Sequence, residues 1–216
     1  MISLLTFLES HIHLTRTRGC RWEPEKGGSA MARRVPVITR AQVAAEHAAA
    51  YDEITSIRGR PPVVGPTSVM IYSPEMALRA NRLAEYLAEQ SALPEKFKRL
   101  AALIAARSMD CQYIWNAQAP AGRRAGLSDA LVDALRDRKP LPAMPPDEAA
   151  VVNYGLELTA TNQVRQEIFQ AALDQLGAQG LTEFTTSIGY FRLLALNANA
   201  FTIDLPEQRT EPLLPI

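Results

Sequence analysis

The sequence predicts an all-α domain built around a central helical hairpin, with extended N- and C-terminal segments. Three observations carry that prediction. Apolar residues recur at helical spacing in one segment after another, and no segment sustains a two-residue alternation with β-branched enrichment. Proline, glycine and capping residues punctuate the chain at helix-length intervals.

Residues 1–30 differ in composition from the rest of the chain. They combine an apolar opening, MISLLTFLES, with His11 and His13 and the loop-like GCRWEPEKGGSA. The apolar run is too short and too polar-flanked for a secretory or membrane segment. His-x-His with Cys20 matches no common zinc spacing, so no metal site is expected. We expect Met31 to be the natural start, with 1–30 a non-native or mobile extension and 31–216 the domain.

From Arg40 to Ile57, Val43, His47, Tyr51 and Ile54 fall on a helical period, and His47 reads as a face residue. The RPPVVGP stretch inside Gly59–Pro66 is too rich in proline and glycine for a helix and predicts an extended loop. Ser73 caps the next helix with Pro74 at its first position, and Met76, Ala80, Leu83 and Leu87 form its stripe.

The central hairpin spans Leu93 to Gly126. Phe97, Leu100, Ala101 and Ile104 lie at i, i+3, i+4 and i+7, with Lys98 and Arg99 off that stripe. Pro94 suits the first turn. Asp110 reads as the N-cap of a second helix beginning at Cys111, where the positive end of the helix dipole can lower a thiol pKa and Asp110 opposes that effect. The alternative is a small buried structural cysteine. Tyr113 and Trp115, two positions apart, point to different faces: one enters the core and the other borders a cleft or interface.

Arg123 and Arg124 complement the dipole at the second helix's end, Gly126 stops it, and Ser128 caps a short helix through Leu135. PLPAMPPDE from Pro140 is a linker. Helices follow at about Asp147–Thr159, Arg165–Leu176 and Leu181–Asn197, punctuated by Gly177 and Gly180. The last carries Leu181, Phe184, Ile188, Phe191 and Ala195 as its stripe. The proline-bearing tail from Asp204 to Ile216 is extended and docks on the surface or on a neighbouring subunit.

The 216 residues are 47% hydrophobic and 21% charged, with 23 basic and 23 acidic side chains. That balance leaves no electrostatic footprint for nucleic acid or an anionic membrane. Two cysteines, Cys20 and Cys111, make no disulfide framework and fit a reducing cytoplasm. Nothing in the chain calls for a cofactor.

The register LPxxxxxLAxLxxARxxDCQYxW from Leu93, followed by PxxRRAGLS from Pro120, resembles the carboxymuconolactone decarboxylase family, which shares its fold with AhpD-type alkylhydroperoxidases. RVPVITRAQV at Arg34, YDEI at Tyr51, SPEMA at Ser73, IGYFRLLALNANAF at Ile188 and the terminal PLLP resemble a long branch of it. The resemblance implies an AhpD-like helical domain, a homo-oligomer, and decarboxylation of a small cyclic or unsaturated organic acid in the breakdown of aromatic compounds.

The resemblance also locates a site. Family members carry an acid where this chain has Arg99, often another where it has Ile114, and a histidine where it has Gln118. The peroxidase motif C-x-x-C-x-x-x-H maps to Cys111, Ile114 and Gln118, so a dithiol cycle cannot run inside the motif. Gln118 hydrogen-bonds but cannot shuttle a proton near neutrality. The candidate catalytic residues are Cys111, Gln118 and Tyr113, and the candidate substrate-binding residues are Arg99, Trp115 and Asn197. Three functions remain open: a decarboxylase-like lyase with an altered proton-transfer site, a single-thiol peroxidase in which peroxide oxidises Cys111, and a non-catalytic ligand-binding oligomer.

Overall fold

The structure, a computed structural model, describes residues 33–205 and 209–216. The expected extension at 1–30 lies outside the described residues. Among the described residues there are helices, turns and extended chain and no β-strand. The helices are α1 (Ala48–Arg58), α2 (Thr67–Met70), α3 (Pro74–Glu85), α4 (Glu95–Ser108), α5 (Gln112–Arg124), α6 (Asp129–Asp137), α7 (Pro146–Thr161) and α8 (Gln166–Ala200). No described helix is long and apolar enough to cross a membrane.

Helix α4 is the centre of the packing and meets α5, α6, α7 and α8. Its predicted stripe is buried, and so is the rest of its middle: every residue from Leu100 to Ala106 is at most 1% exposed. The alanines between the stripe positions make this possible, because neighbouring helices can close on them from every side. Gly155 of α7 shows how tight the fit is. A Cβ there would stand 2.7 Å from Ile104 Cδ1 and 3.3 Å from Phe184 Cε1. A smaller cluster of Ala50, Tyr51, Ile54, Met70, Ile71, Ala77 and Leu78 joins α1, α2 and α3.

Several predicted elements shift in detail. The helix expected from Arg40 forms only from Ala48, after short 3-10 turns at Arg40–Gln42 and Ala45–His47. The Thr39 amide donates to Gln42 Oε1 (2.9 Å), and Val43 is extended (φ −79°, ψ 131°), so local capping closes the first turn before a helix can propagate. Helix α3 buries Ala77, Leu78 and Asn81 and leaves Met76 (49%) and Leu83 (39%) exposed. A π-turn at Tyr86–Gln90 then alters the helical phase, and Leu87 enters the core. Pro94 occupies the cap of α4 and not its first turn.

Other signals act as read. The Leu131 amide donates to Ser128 Oγ (3.2 Å) at the start of α6, and Gly126 adopts φ 97° after α5. Gly177 breaks the last helical run into 166–176 and 178–200 with φ 66° and ψ 173°.

Buried Glu183 ties the π-turn to α8. Its carboxylate accepts from Tyr86 Oη (2.8 Å), Ser91 Oγ (2.7 Å), the Ala92 amide (2.9 Å) and Gln179 Nε2 (2.9 Å). Burial pushes this carboxyl up, but hydrogen bonds from Gln179, Ser91, Tyr86 and Ala92 outweigh it and lower its pKa to about 2.

The tail docks on this chain. Gln112 clasps the Leu214 backbone through both amide atoms (2.9 and 2.8 Å), and Glu211 pairs with Arg123 (3.0 Å).

Candidate functional site

The turn between α4 and α5 differs from its predicted form. Cys111, not Asp110, is the N-cap of α5. Asp110 takes a left-handed conformation (φ 47°) and turns its carboxylate back to Arg107 and Arg138. Two arginines outcompete the amides of the first turn for this carboxylate.

Cys111 is 0% exposed and packs within the main core. Burial raises its thiol pKa, and the first-turn amides of Ile114 and Tyr113 oppose that only in part. Ile114 (3%) and Trp115 (0%) are buried beside it. Trp115 lies wholly in the core, and its Nε1 has no hydrogen-bond partner. Tyr113 takes the opposite direction. It borders a cleft with Arg60, Val64 and Ala117, and its hydroxyl lies so near Gly65 that a Cβ there would stand 2.6 Å away. Gly65 also has φ 70°, so both conformation and space favour glycine.

Arg99 and Gln118 come together across the hairpin: Arg99 Nη1 donates to Gln118 Oε1 (2.9 Å), while Arg99 Nε donates to Glu95 Oε1 (2.8 Å). Asn197 is not brought to them. Its side chain donates to the Leu193 carbonyl of its own helix (3.0 Å).

Arg99 faces a cavity of about 230 Å³ between the start of α4, the π-turn and α8. Leu87, Phe191 and Leu194 supply apolar wall, while Arg58, Lys98 and Arg99 supply three cations against one carboxylate, Glu95. Arg58 donates to Thr67 Oγ1 (2.8 Å) and Asn81 Oδ1 (3.4 Å), and its buried Nε has no partner. Burial lowers the Arg58 pKa, and neighbouring Arg60 adds to that. Tyr190, 8% exposed, completes the wall, and burial pushes its hydroxyl up to about 12, so it stays protonated at neutral pH. Among the described residues, no cluster of three or more His, Cys, Asp or Glu side chains is placed to hold a metal ion.

Arg58, Lys98 and Tyr190 are not marked as site residues by the sequence. Lys98 reads as a charge off the apolar stripe of its helix, and Arg58 carries no signal in the sequence. Tyr190 lies inside the IGYFR stretch that carries the resemblance, which is the one signal available for it. Nothing local says that these residues, from α1, α4 and α8, share a cavity.

Residues 74–151 match the carboxymuconolactone decarboxylase family. No curated protein matches the chain. Solved structures share the fold, among them these three. A protein of unknown function from Agrobacterium tumefaciens, a putative antioxidant defence protein AhpD, is 19% identical over 62% of this chain and 93% of its own (TM-score 0.56). The debrominase Bmp8, bound to 2,3,4-tribromopyrrole, is 15% identical over 83% and 95% (TM-score 0.62). An alkylhydroperoxidase AhpD core, an uncharacterized peroxidase-related protein from Ralstonia eutropha JMP134, is 15% identical over 81% and 93% (TM-score 0.63). At these identities the likeness establishes the fold alone. The segment 74–151, with the α4–α5 hairpin inside it, is similar to the carboxymuconolactone decarboxylase family, and the chain has the fold of AhpD-like proteins.

Proposed function

We propose that the cavity beside Arg99 binds a small cyclic or unsaturated carboxylic acid, and that the chain acts on it as a decarboxylase-like carbon–carbon lyase. One observation carries this reading: three cations, one with an unpartnered buried Nε, face an apolar-walled space beside a protonated phenol. An anionic ring compound meets its charge and its apolar surface there at once. The positions that the resemblance gives to an acid and a histidine hold an arginine–glutamine pair. Such a pair fits anion binding and not proton shuttling.

In this reading the carbon–carbon bond breaks, carbon dioxide leaves, and the bonding pair moves through the unsaturated system onto a carbonyl oxygen. Arg99, held by Gln118, stabilises that oxyanion together with Arg58. Tyr190 then gives its proton to the electron-rich carbon, and the phenolate, facing Arg58, recovers a proton from water. Cys111 has no part in this scheme, because it is sealed in the core.

The test is calorimetric titration with a panel of small unsaturated and lactone acids, followed by carbon dioxide release from those that bind. Saturable binding with turnover is expected. Tyr190→Phe should retain binding and lose roughly 10²-fold or more in kcat, the scale of general acid catalysis. Binding without carbon dioxide release would reduce the function to ligand binding, and no binding at all would remove the acid reading. Self-association belongs to the same reading: Met76 and Leu83 on α3 and Leu193 and Leu196 on α8 are exposed apolar side chains that a second copy would cover. Light scattering that reports a monomer would remove that element.

A further inference from the structure

The C-terminal half of α4 faces a different cavity. Arg107 lies eight residues beyond Arg99, about 12 Å along the helix axis. There Ile104, Leu135, Leu141 and Leu156 of α4, α6, the linker after α6 and α7 wall a space of about 360 Å³. That volume falls within the range of about 300–1,000 Å³ usual for small-molecule sites. Arg107, Arg138 and Lys139 also line it.

Arg107 is 7% exposed. Its Nη1 pairs with Asp110 and its Nη2 donates to the Pro215 carbonyl (3.3 Å), while its buried Nε has no partner. Leaving such a donor unmatched in the interior is costly. Arg138 is tied to Asp110 (3.0 Å) and Lys139 to Asp137 (3.1 Å), and both remain exposed at the mouth. Ser108 and Thr159, also in the lining, donate to carbonyls of their own helices, those of Ala105 (2.9 Å) and Gly155 (2.9 Å). The cations are therefore the groups that remain to meet a ligand's head.

We propose that this cavity is a second ligand site, for an amphiphilic carboxylate whose head meets Arg107 Nε at a rim formed by Arg138 and Lys139, and whose alkyl or aryl tail lies against Ile104, Leu135, Leu141 and Leu156. Its ligand differs from that of the Arg99 cavity in needing a longer apolar body, and the site holds whether or not the first one is catalytic.

The experiment is calorimetric titration of the full chain with octanoate, with octanol as the uncharged match. Circular dichroism checks that each variant keeps its helices. Saturable octanoate binding is expected in the wild type and in Arg99→Gln, with octanol weaker. Arg138→Gln/Lys139→Gln should weaken octanoate by about tenfold, the loss of a charge-assisted contact. Ala160→Phe, at an exposed lining position, should fill the cavity and abolish binding. Absence of saturable binding to the folded wild type overturns the proposal. So does octanol binding as tightly as octanoate, loss of binding in Arg99→Gln, or wild-type affinity in folded Arg138→Gln/Lys139→Gln and Ala160→Phe.

Discussion

Cys111 and Gln118 stand about two turns apart on the same helix in opposite surroundings. Around Cys111 lie Ile114, Trp115 and the alanines of α4, and the residue has no exposed surface. Gln118 accepts from Arg99 across the same hairpin, and Arg99, Glu95 and Lys98 line a cavity. A helix N-terminus activates a thiol only where the thiolate can be solvated or paired. Here burial dominates and the pKa moves up. In the proposed function the chemistry therefore rests on the cations and not on the sulfur.

The largest expected effect tests the sealed side. Trp115→Ala should cost roughly 3–5 kcal/mol in urea unfolding, because the emptied volume cannot refill from a close-packed interior. A loss under about 1 kcal/mol would mean that this side is not tightly packed.

Next is Glu183, the carboxylate that holds the π-turn behind the open side. Its folded pKa of about 2 lies below the ordinary value of about 4.3, so its contribution is present above the unfolded value and is lost as pH falls toward 2. Glu183→Gln should destabilise by on the order of 2 kcal/mol near neutrality, and the gap to wild type should narrow from about pH 4.3 downward. Melting temperatures recorded across that range decide it. A constant gap would mean that the carboxylate's charge is not what the four donors stabilise.

On the open side, Arg99→Gln should weaken a bound organic acid by about tenfold while leaving the melting temperature nearly unchanged, since partly exposed ion pairs add little stability. A large fall in melting temperature would recast Arg99 as a structural residue.

The smallest effect belongs to the thiol. In a Cys20→Ser background, alkylation of Cys111 should be slow, with a midpoint above the ordinary value of about 8.5. Cys111→Ala should leave acid turnover intact. Rapid labelling at neutral pH, or prompt oxidation by peroxide, would restore the single-thiol reading.

Much of the fold is legible in the order of residues. Phe97, Leu100, Ala101 and Ile104 mark the centre of the core, Gly177 marks the break in α8, and Ser128 marks a cap, each through local rules that act within a turn of helix. The errors come from competition at longer range. Asp110 turns from capping to Arg138 beyond α6, and α3 packs on α1 through Ala77 and Leu78, which leaves Met76 and Leu83 outward. The site is half legible: Arg99 and Gln118 follow from the family motif and do meet. Arg58 and Tyr190, which make the cavity cationic and protic, do not.

Helix periods, caps and breaks are short-range properties, so the sequence alone determined an all-α chain with a buried hairpin at Leu93–Gly126. Which side of that hairpin closes depends on α1, α7 and α8, brought from distant parts of the chain. Only tertiary packing could bury Cys111 and leave Arg58, Arg99 and Tyr190 around a shared space, because desolvation and charge proximity are set by neighbours in space and not by neighbours in sequence.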